Sequence, residues 1–327
     1  MDITEIARMA GVSRSTVSRY LNDGYVSTEK REAIKRVIEE TGYTPSQQAK
    51  TLRTGKTDVI GVILPKINSA SVSRIVGGIT SVLNERGYRL LLANTNNNGS
   101  AEVDYLRLFS EGNEVDGIIL IATYFDDAHL KAMANLSVPI VIIDQELGGY
   151  SCVYQDDYHA LLDLTQIVLR HAEHPAYVGV LEKDVSAGHN RRQGFLDACA
   201  KAGVEVPERA CELADFTVDS GYEATERLLD AYPELDAVVC ATDSIAYGAM
   251  TCLHEFGHAV PDEVQVCGVG DSDLSQIVTP TLTTVHFFYW TSGTEAARML
   301  LERIADRTTV ARQLRMGYEV RVRNSTL

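Results

Sequence analysis

Arg14, Ser15, Ser18 and Arg19 recur at a spacing that gathers them on one side of a short helical pattern, while Val12, Val17 and Leu21 gather on the other. An arginine so placed can pair bidentately with O6 and N7 of guanine in the major groove, and Ser15 or Thr16 can bond a base edge or a phosphate. A preceding helix carries Ile6, Ala7 and Ala10 as its apolar stripe, and Gly11 supplies the tight turn between the two. The pattern is that of a DNA-reading helix-turn-helix. An ordinary αα-hairpin with solvated arginines has the same spacing.

Downstream residues extend the unit. Asn22-Asp23-Gly24 reads as a turn, and Ser27 and Thr28 offer caps to a third helix over Glu29–Thr41, with Ile34, Val37 and Ile38 facing inward. In TPSQQAKTLRTGK, Pro45 sits at a helix start and Gly55 at a stop, which leaves a helix too short to be stable alone in water. Charge divides in the same place. Residues 1–57 hold ten Lys and Arg against seven Asp and Glu, a net of +3, so the chain total of −15 leaves −18 for the rest. A basic end on an acidic body suits a protein that meets nucleic acid at one end.

The stretches AGVSRSTVSRYLN, VST and ETGYTPSQQAKTL resemble the headpiece and hinge of the lactose-repressor-like (LacI/GalR) transcription regulators. The resemblance implies a headpiece over 1–44, a hinge helix and linker over 45–57, and an effector-binding and dimerising core over 58–327. It implies DNA contacts from Thr4, Ser13, Arg14, Ser15, Thr16 and Ser18. Arg19, Asn22, Tyr43, Ala49 and Arg53 complete that set, and Leu52 falls on the leucine that wedges into the minor groove at the operator centre. Unstacking a step there costs a few kcal/mol, offset by the contacts that a bent duplex allows.

From residue 58 onward, near-continuous apolar runs alternate with helical patterns. VIGVIL (59–64), YRLLLA (88–93), DGIILIA (116–122) and VPIVII (138–143) form one strand series. AYVGVL (176–181), DAVVCA (236–241) and VQVCGV (264–269) form a second, with helices near 188–202, 219–231 and 244–256. Two parallel sheets flanked by helices are expected. The resemblance covers this region too, implying two Rossmann-like subdomains similar to periplasmic sugar-binding proteins. They would divide as 58–155 with 287–310, and 156–286 with 311–327.

Ligands of open α/β sheets bind beyond the carboxyl ends of the strands, and here those ends carry polar loops. Carried over from the family, Arg191 in RRQGF matches an arginine that fixes a sugar hydroxyl or a purine, Asp243 a second polar ligand, and Phe216 an aromatic cover. Ser71 and Val72 stand where many relatives have an aromatic pair, which suggests a roomier pocket. Asn94, Asp144 and Gln145 are further effector contacts, with Ser186, Tyr289 and Trp290 weaker ones. Gly270 replaces the first aspartate of a G-F-D-D or G-Y-D-N pattern, and Asp271 matches the second. Charged groups bond hydroxyls strongly, and an aromatic face covers the apolar side of a pyranose.

Other chemistries find little support. G-x-S-x-G, G-x-x-x-x-G-K-[ST] and H-E-x-x-H are missing, GVGD at 268–271 lacks the third glycine of a dinucleotide fingerprint, and no catalytic constellation emerges. His171 and His174 read as surface histidines, and Asp271 with Asp273 as polar loop, so neither a metal nor a cofactor is expected. The six cysteines are scattered without C-x-x-C pairs, which suits reduced core residues in the cytoplasm. No secretory signal is apparent, nor any window near the ~18 apolar residues of a membrane span.

The expectation is therefore a ligand-gated homodimer that reads a near-palindromic operator and is released by a small sugar or oligosaccharide. Control by a phosphoprotein partner or a purine corepressor stands as the alternative, and a sugar receptor without a DNA role as a third. No C-terminal leucine heptad suggests a tetramer.

Overall fold

The computed structural model describes residues 1–43, 55–111 and 114–327, and the chain divides into two compact units, Met1–Asp58 and Val59–Leu327.

The first unit packs three helices, α1 (Ile3–Met9), α2 (Arg14–Tyr20) and α3 (Thr28–Thr41). Asp2 caps α1, its carboxylate accepting from the Thr4 and Glu5 amides while the Glu5 carboxylate accepts from the Asp2 amide. Gly11 turns the chain with φ of +65°, and Ser13 then caps α2 through Thr16 N–H. Ile6, Ala7, Val17, Val26, Ile34 and Val37 form the buried centre. Leu21, expected to be buried, is only partly so, because α2 ends at Tyr20 and Leu21 caps it at the rim.

The second unit has two six-stranded sheets. The first contains β1 (Val59–Leu64), β2 (Arg89–Asn94), β3 (Gly117–Ile121), β4 (Ile140–Ile143), β5 (Ser151–Gln155) and β11 (Gln313–Met316), ordered β11-β5-β4-β3-β1-β2. The second contains β6 (Pro175–Gly179), β7 (Cys211–Leu213), β8 (Ala237–Cys240), β9 (Gln265–Val269), β10 (Thr283–Phe287) and β12 (Tyr318–Arg321), ordered β12-β10-β9-β8-β6-β7. Central strands such as VIGVIL and GIILI are buried almost throughout, as expected for strands covered on both faces.

Helices α4 (Ala70–Glu85), α5 (Gly99–Glu111), α6 (Asp127–Ala134) and α11 (Tyr289–Ala305) belong to the first lobe. Helices α7 (Asp157–Val168), α8 (Arg191–Ala202), α9 (Val218–Ala231) and α10 (Asp243–Glu255) belong to the second. Glycines let α4 and α11 approach backbone to backbone. A Cβ at Gly78 would lie 2.1 Å from the Trp290 carbonyl oxygen, and one at Gly293 2.1 Å from that of Ile75.

Two expectations change. Residues 311–327 do not all join the second lobe, because Gln313–Met316 pairs in parallel with Cys152–Gln155 and completes the first sheet. The second sheet is not wholly parallel either, since β12 returns antiparallel beside β10. The chain therefore passes between the lobes three times, after β5, after β10 and after β11. No described helix is long and apolar enough to cross a membrane. All six cysteines are free, and all but the half-buried Cys211 are buried.

Candidate functional site

On the first unit, Thr4, Ser13, Arg14, Ser15, Arg19 and Asn22 are exposed, and Thr16, Ser18 and Tyr43 are half-buried. Arg14 opens α2, and its guanidinium is free to reach outward. Ser13 Oγ lies 2.8 Å from both Ser15 Oγ and Thr16 Oγ1, so the cap and its neighbours form one hydroxyl cluster at the helix start. The stem of Arg19 is pinned where Gly24 crosses it, since a Cβ there would lie 2.7 Å from Arg19 Cγ. Asn22 closes the far end by donating to the Ser18 carbonyl, and Tyr43 packs against the helical core. Ala49, Leu52 and Arg53, with the expected hinge helix, lie outside the described residues.

In the second unit, the carboxyl ends of both sheets face a cleft of about 870 Å³, within the range of small-molecule sites. The first lobe contributes Ser71 and Arg74 from α4, Thr123 after β3, Asp144 and Gln145 after β4, and Gln155 from β5. The second contributes Asp157, Asp184, Arg191, Phe216, Asp243 and Tyr247. Tyr289, at a crossing between the lobes, is buried and lines the cleft.

Arg191 is at the cleft, and its guanidinium is already engaged. Nε donates to Asp157 Oδ1 at 2.7 Å and Nη1 to the Ala241 carbonyl at 2.6 Å, with the Phe287 ring 5.6 Å away. Burial disfavours its charge, but Asp157 outweighs that and lifts the arginine's pKa above its ordinary value. Burial likewise pushes Asp157 up while Arg191 holds it down. Asp243 is equally committed. Its carboxylate accepts from the Ser272 amide at 2.8 Å and from the Thr284 hydroxyl, which anchors the loop after β9. Thr242, not Asp243, caps α10.

Two expected contacts move out of the cleft. Asp271 does not line it, because Gly270 takes φ of +138° and Asp271 φ of +45°, turning the side chain backward. There it accepts from Arg323, Ser275 and, at 2.8 Å, His286 Nδ1. Burial pushes Asp271 up, yet the Arg323 and His286 hydrogen bonds prevail and hold it below the ordinary carboxylate range. Asp271 therefore does not stand in for an aspartate at position 270. Asn94 also misses the cleft, since its side chain accepts from Ile67 N–H and donates to Asn96 Oδ1. The neighbouring Asn97 lines the cleft instead.

Several contacts cross from lobe to lobe at the cleft. Gln145 Nε2 donates to Asp184 Oδ1 at 2.9 Å and to the Thr123 carbonyl at 2.8 Å. Ser186 Oγ donates to the Asp144 carbonyl at 2.5 Å. Arg74 donates to the carbonyls of Gly270 and Asp271, and Lys183 Nζ sits 3.6 Å from the Tyr124 ring centroid. Ser186 and Tyr289 thus have stronger claims on the cleft than their sequence context suggested. Trp290 stays outside it, half-exposed over Gly77.

Arg74, Gln155 and Asp157 escaped the sequence reading. Asp157 was findable only through β5, whose SCVYQ sequence is too short and mixed to stand out as a strand. Arg74 carries no local signal, because its carbonyl partners lie almost two hundred residues away. Among the described residues no cluster of His, Cys, Asp and Glu is fit to hold a metal.

Residues 2–46 match the family described as bacterial regulatory proteins, lacI family, and residues 166–326 match a periplasmic binding protein-like domain. The sucrose operon repressor of Staphylococcus xylosus is 33% identical over 311 residues, covering 93% of each chain. This chain belongs to the LacI family. A second LacI-family relative, the HTH-type transcriptional regulator CelR of Thermobifida fusca, is 33% identical over 332 residues, covering 98% of this chain and 96% of its own. The solved CelR–cellobiose complex aligns over 99% of both chains at 32% identity with a TM-score of 0.76. The lac repressor dimer bound to operator, at 22% identity and a TM-score of 0.89, shares the fold. As a LacI-family member the chain is a DNA-binding transcriptional regulator, and the relatives named here are regulators, not enzymes.

Proposed function

We propose that this LacI-family regulator is a cytoplasmic homodimeric repressor that releases a palindromic operator when a small sugar or oligosaccharide occupies the core cleft. The observation that carries this reading is the cleft itself, a space of about 870 Å³ whose walls combine hydrogen-bonding side chains with the rings of Phe216 and Tyr289. The cellobiose named with the CelR structure and the sucrose operon named with the staphylococcal relative point to the same ligand class. Edge strand β2 leaves Leu91 and Leu92 uncovered, which supports a surface for a second copy. The segment 45–57, with Leu52 at its minor-groove position, is proposed to couple the cleft to the headpiece.

The test is operator binding by fluorescence anisotropy, using a site selected from random duplexes, titrated with cellobiose, sucrose and other saccharides. Release by one of them is expected. A complex indifferent to every saccharide but altered by a phosphoprotein or a purine would overturn the sugar reading.

Arg14→Ala is expected to weaken operator binding by about 1 to 3 kcal/mol and to relax preference at one base position. The check is anisotropy across single-base operator variants. An equal loss on all of them would assign Arg14 to a phosphate.

A further inference from the structure

Arg74, early in α4, reaches out of the first lobe with each nitrogen of its guanidinium engaged. Nη1 donates to the Asp271 carbonyl at 3.2 Å and Nη2 to that of Gly270, both on the second lobe, while Nε turns back to the Ala70 carbonyl of its own helix at 3.4 Å. The guanidinium also lies over the Tyr289 ring, 5.1 Å from its centroid, close enough for a cation–π contact. Tyr289 opens α11 just past the crossing that follows β10. One side chain therefore joins α4, a crossing between the lobes and the loop after β9.

The seat that receives it is built from behind. Gly270, at φ of +138°, holds a conformation that side-chain-bearing residues rarely adopt, and Asp271 follows in the left-handed region at +45°. The N–H groups of this loop are spent inside the second lobe, Gly270 on the Val285 carbonyl, Asp271 on Thr284 Oγ1 and Ser272 on the Asp243 carboxylate. The Asp271 side chain is tied to Arg323, Ser275 and His286. What the loop presents to the first lobe is its two carbonyls. A charged donor bonds them more strongly than a neutral one would.

A second bridge stands on the other side of β8. There Asp184 Oδ1, in the loop after β6, accepts from Gln145 Nε2 of the first lobe and, at 3.0 Å, from Ala187 N–H of its own. Ser186 donates to the Asp144 carbonyl beside it. The two bridges have no residue in common, so the angle between the lobes is what couples them.

We propose that Arg74 is a clasp that sets the angle between the lobes. With its guanidinium seated, the loops after β4 and β6 stand within hydrogen-bonding reach; without it the lobes swing apart and the distant bridge breaks. The clasp uses only groups of this chain, so it acts whether or not an effector is present. A ligand that touches both lobes needs the clasped arrangement, and its apparent affinity falls with the fraction of molecules that hold it. If one molecule in about ten stays clasped, affinity falls about tenfold. Arg74 is thereby a positioning residue for whatever the cleft binds.

The experiment is hydrogen exchange of the full-length protein alone, read by mass spectrometry for the native chain, Arg74→Ala and Arg74→Lys, with thermal unfolding to check that each variant folds. Lysine brings a point charge that can serve one carbonyl but cannot fork across two. Expected are amides at 184–188 that exchange several-fold faster in Arg74→Ala and at an intermediate rate in Arg74→Lys. Faster exchange confined to 70–78 and 268–275, or native rates throughout, would overturn the clasp. Titration with cellobiose and sucrose supplies a second readout, since a saccharide that binds the native protein should bind Arg74→Ala about tenfold more weakly. Weaker binding with native exchange at 184–188 would make Arg74 a ligand contact and also overturn the proposal. If neither saccharide binds the native protein, the sugar reading loses its support while the exchange rates still decide the clasp.

Discussion

Arg191→Ala is expected to lower the unfolding free energy of the core by about 3 to 5 kcal/mol, the usual cost of deleting one member of a buried ion pair. The Asp157 carboxylate, 2.7 Å from Nε, is fully enclosed and would be left with the neighbouring charges of Asp144 and Asp184 uncompensated. The Ala241 carbonyl would lose its donor as well. Urea titration monitored by circular dichroism reads the loss directly. Asp157→Asn in the same background should recover part of it, because the second change removes the stranded charge. A single variant with native stability and a defective effector response would mean that Arg191 serves the ligand alone, as its position in RRQGF first suggested.

Glu102→Gln is expected to act in the opposite direction, and only above acid pH. Glu102 is 3% exposed on α5, with Oε1 lacking a hydrogen bond and 3.4 Å from Nε2 of the equally buried His129. His129 Nδ1 lies 2.7 Å from the Asp126 carboxylate and donates to it, so Nε2 faces Glu102 as an acceptor. Burial first, and the Asp126 charge second, raise the Glu102 carboxyl from 4.5 to about 8.

The folded protein thus keeps the proton that the unfolded chain sheds near pH 4.5. The stability it provides is whole below that value, declines as pH rises, and is gone above about 8. Glutamine cannot ionise and has nearly the same shape. Its advantage over the native residue should therefore be small at pH 5 and grow to a few kcal/mol by pH 8. Parallel stability curves for the two proteins across that range would show that Glu102 is ionised in the folded state.

The lobes were legible where burial on both faces writes a continuous apolar run. VIGVIL is β1 to the residue, and the other six runs begin and end within about two residues of their strands. Strands β5, β7, β10, β11 and β12 were not read, because SCVYQ, CEL, TTVHF, QLRM and YEVR mix polar with apolar residues or are too short for a pattern. Losing β5 also lost Asp157, and with it the partner that reassigns Arg191. The cleft was located correctly from the strand ends, whereas individual side chains there depend on partners far along the chain. Asp271 illustrates the limit. Its left-handed backbone and its bond to Arg323, fifty-two residues on, decide where it points, and neither is written in GVGD.

The three crossings between lobes bear on how the molecule is made. The first lobe looks like the amino-terminal part of the core, yet its edge strand β11 comes from residues that a ribosome delivers after the whole of β10 and α11. Until Gln313–Met316 emerges, the backbone edge of Ser151–Gln155 remains open to pairing with another chain. The first lobe cannot be finished until nearly all of the second has been synthesised, and a nascent chain stalled in α11 would be the species most exposed to aggregation.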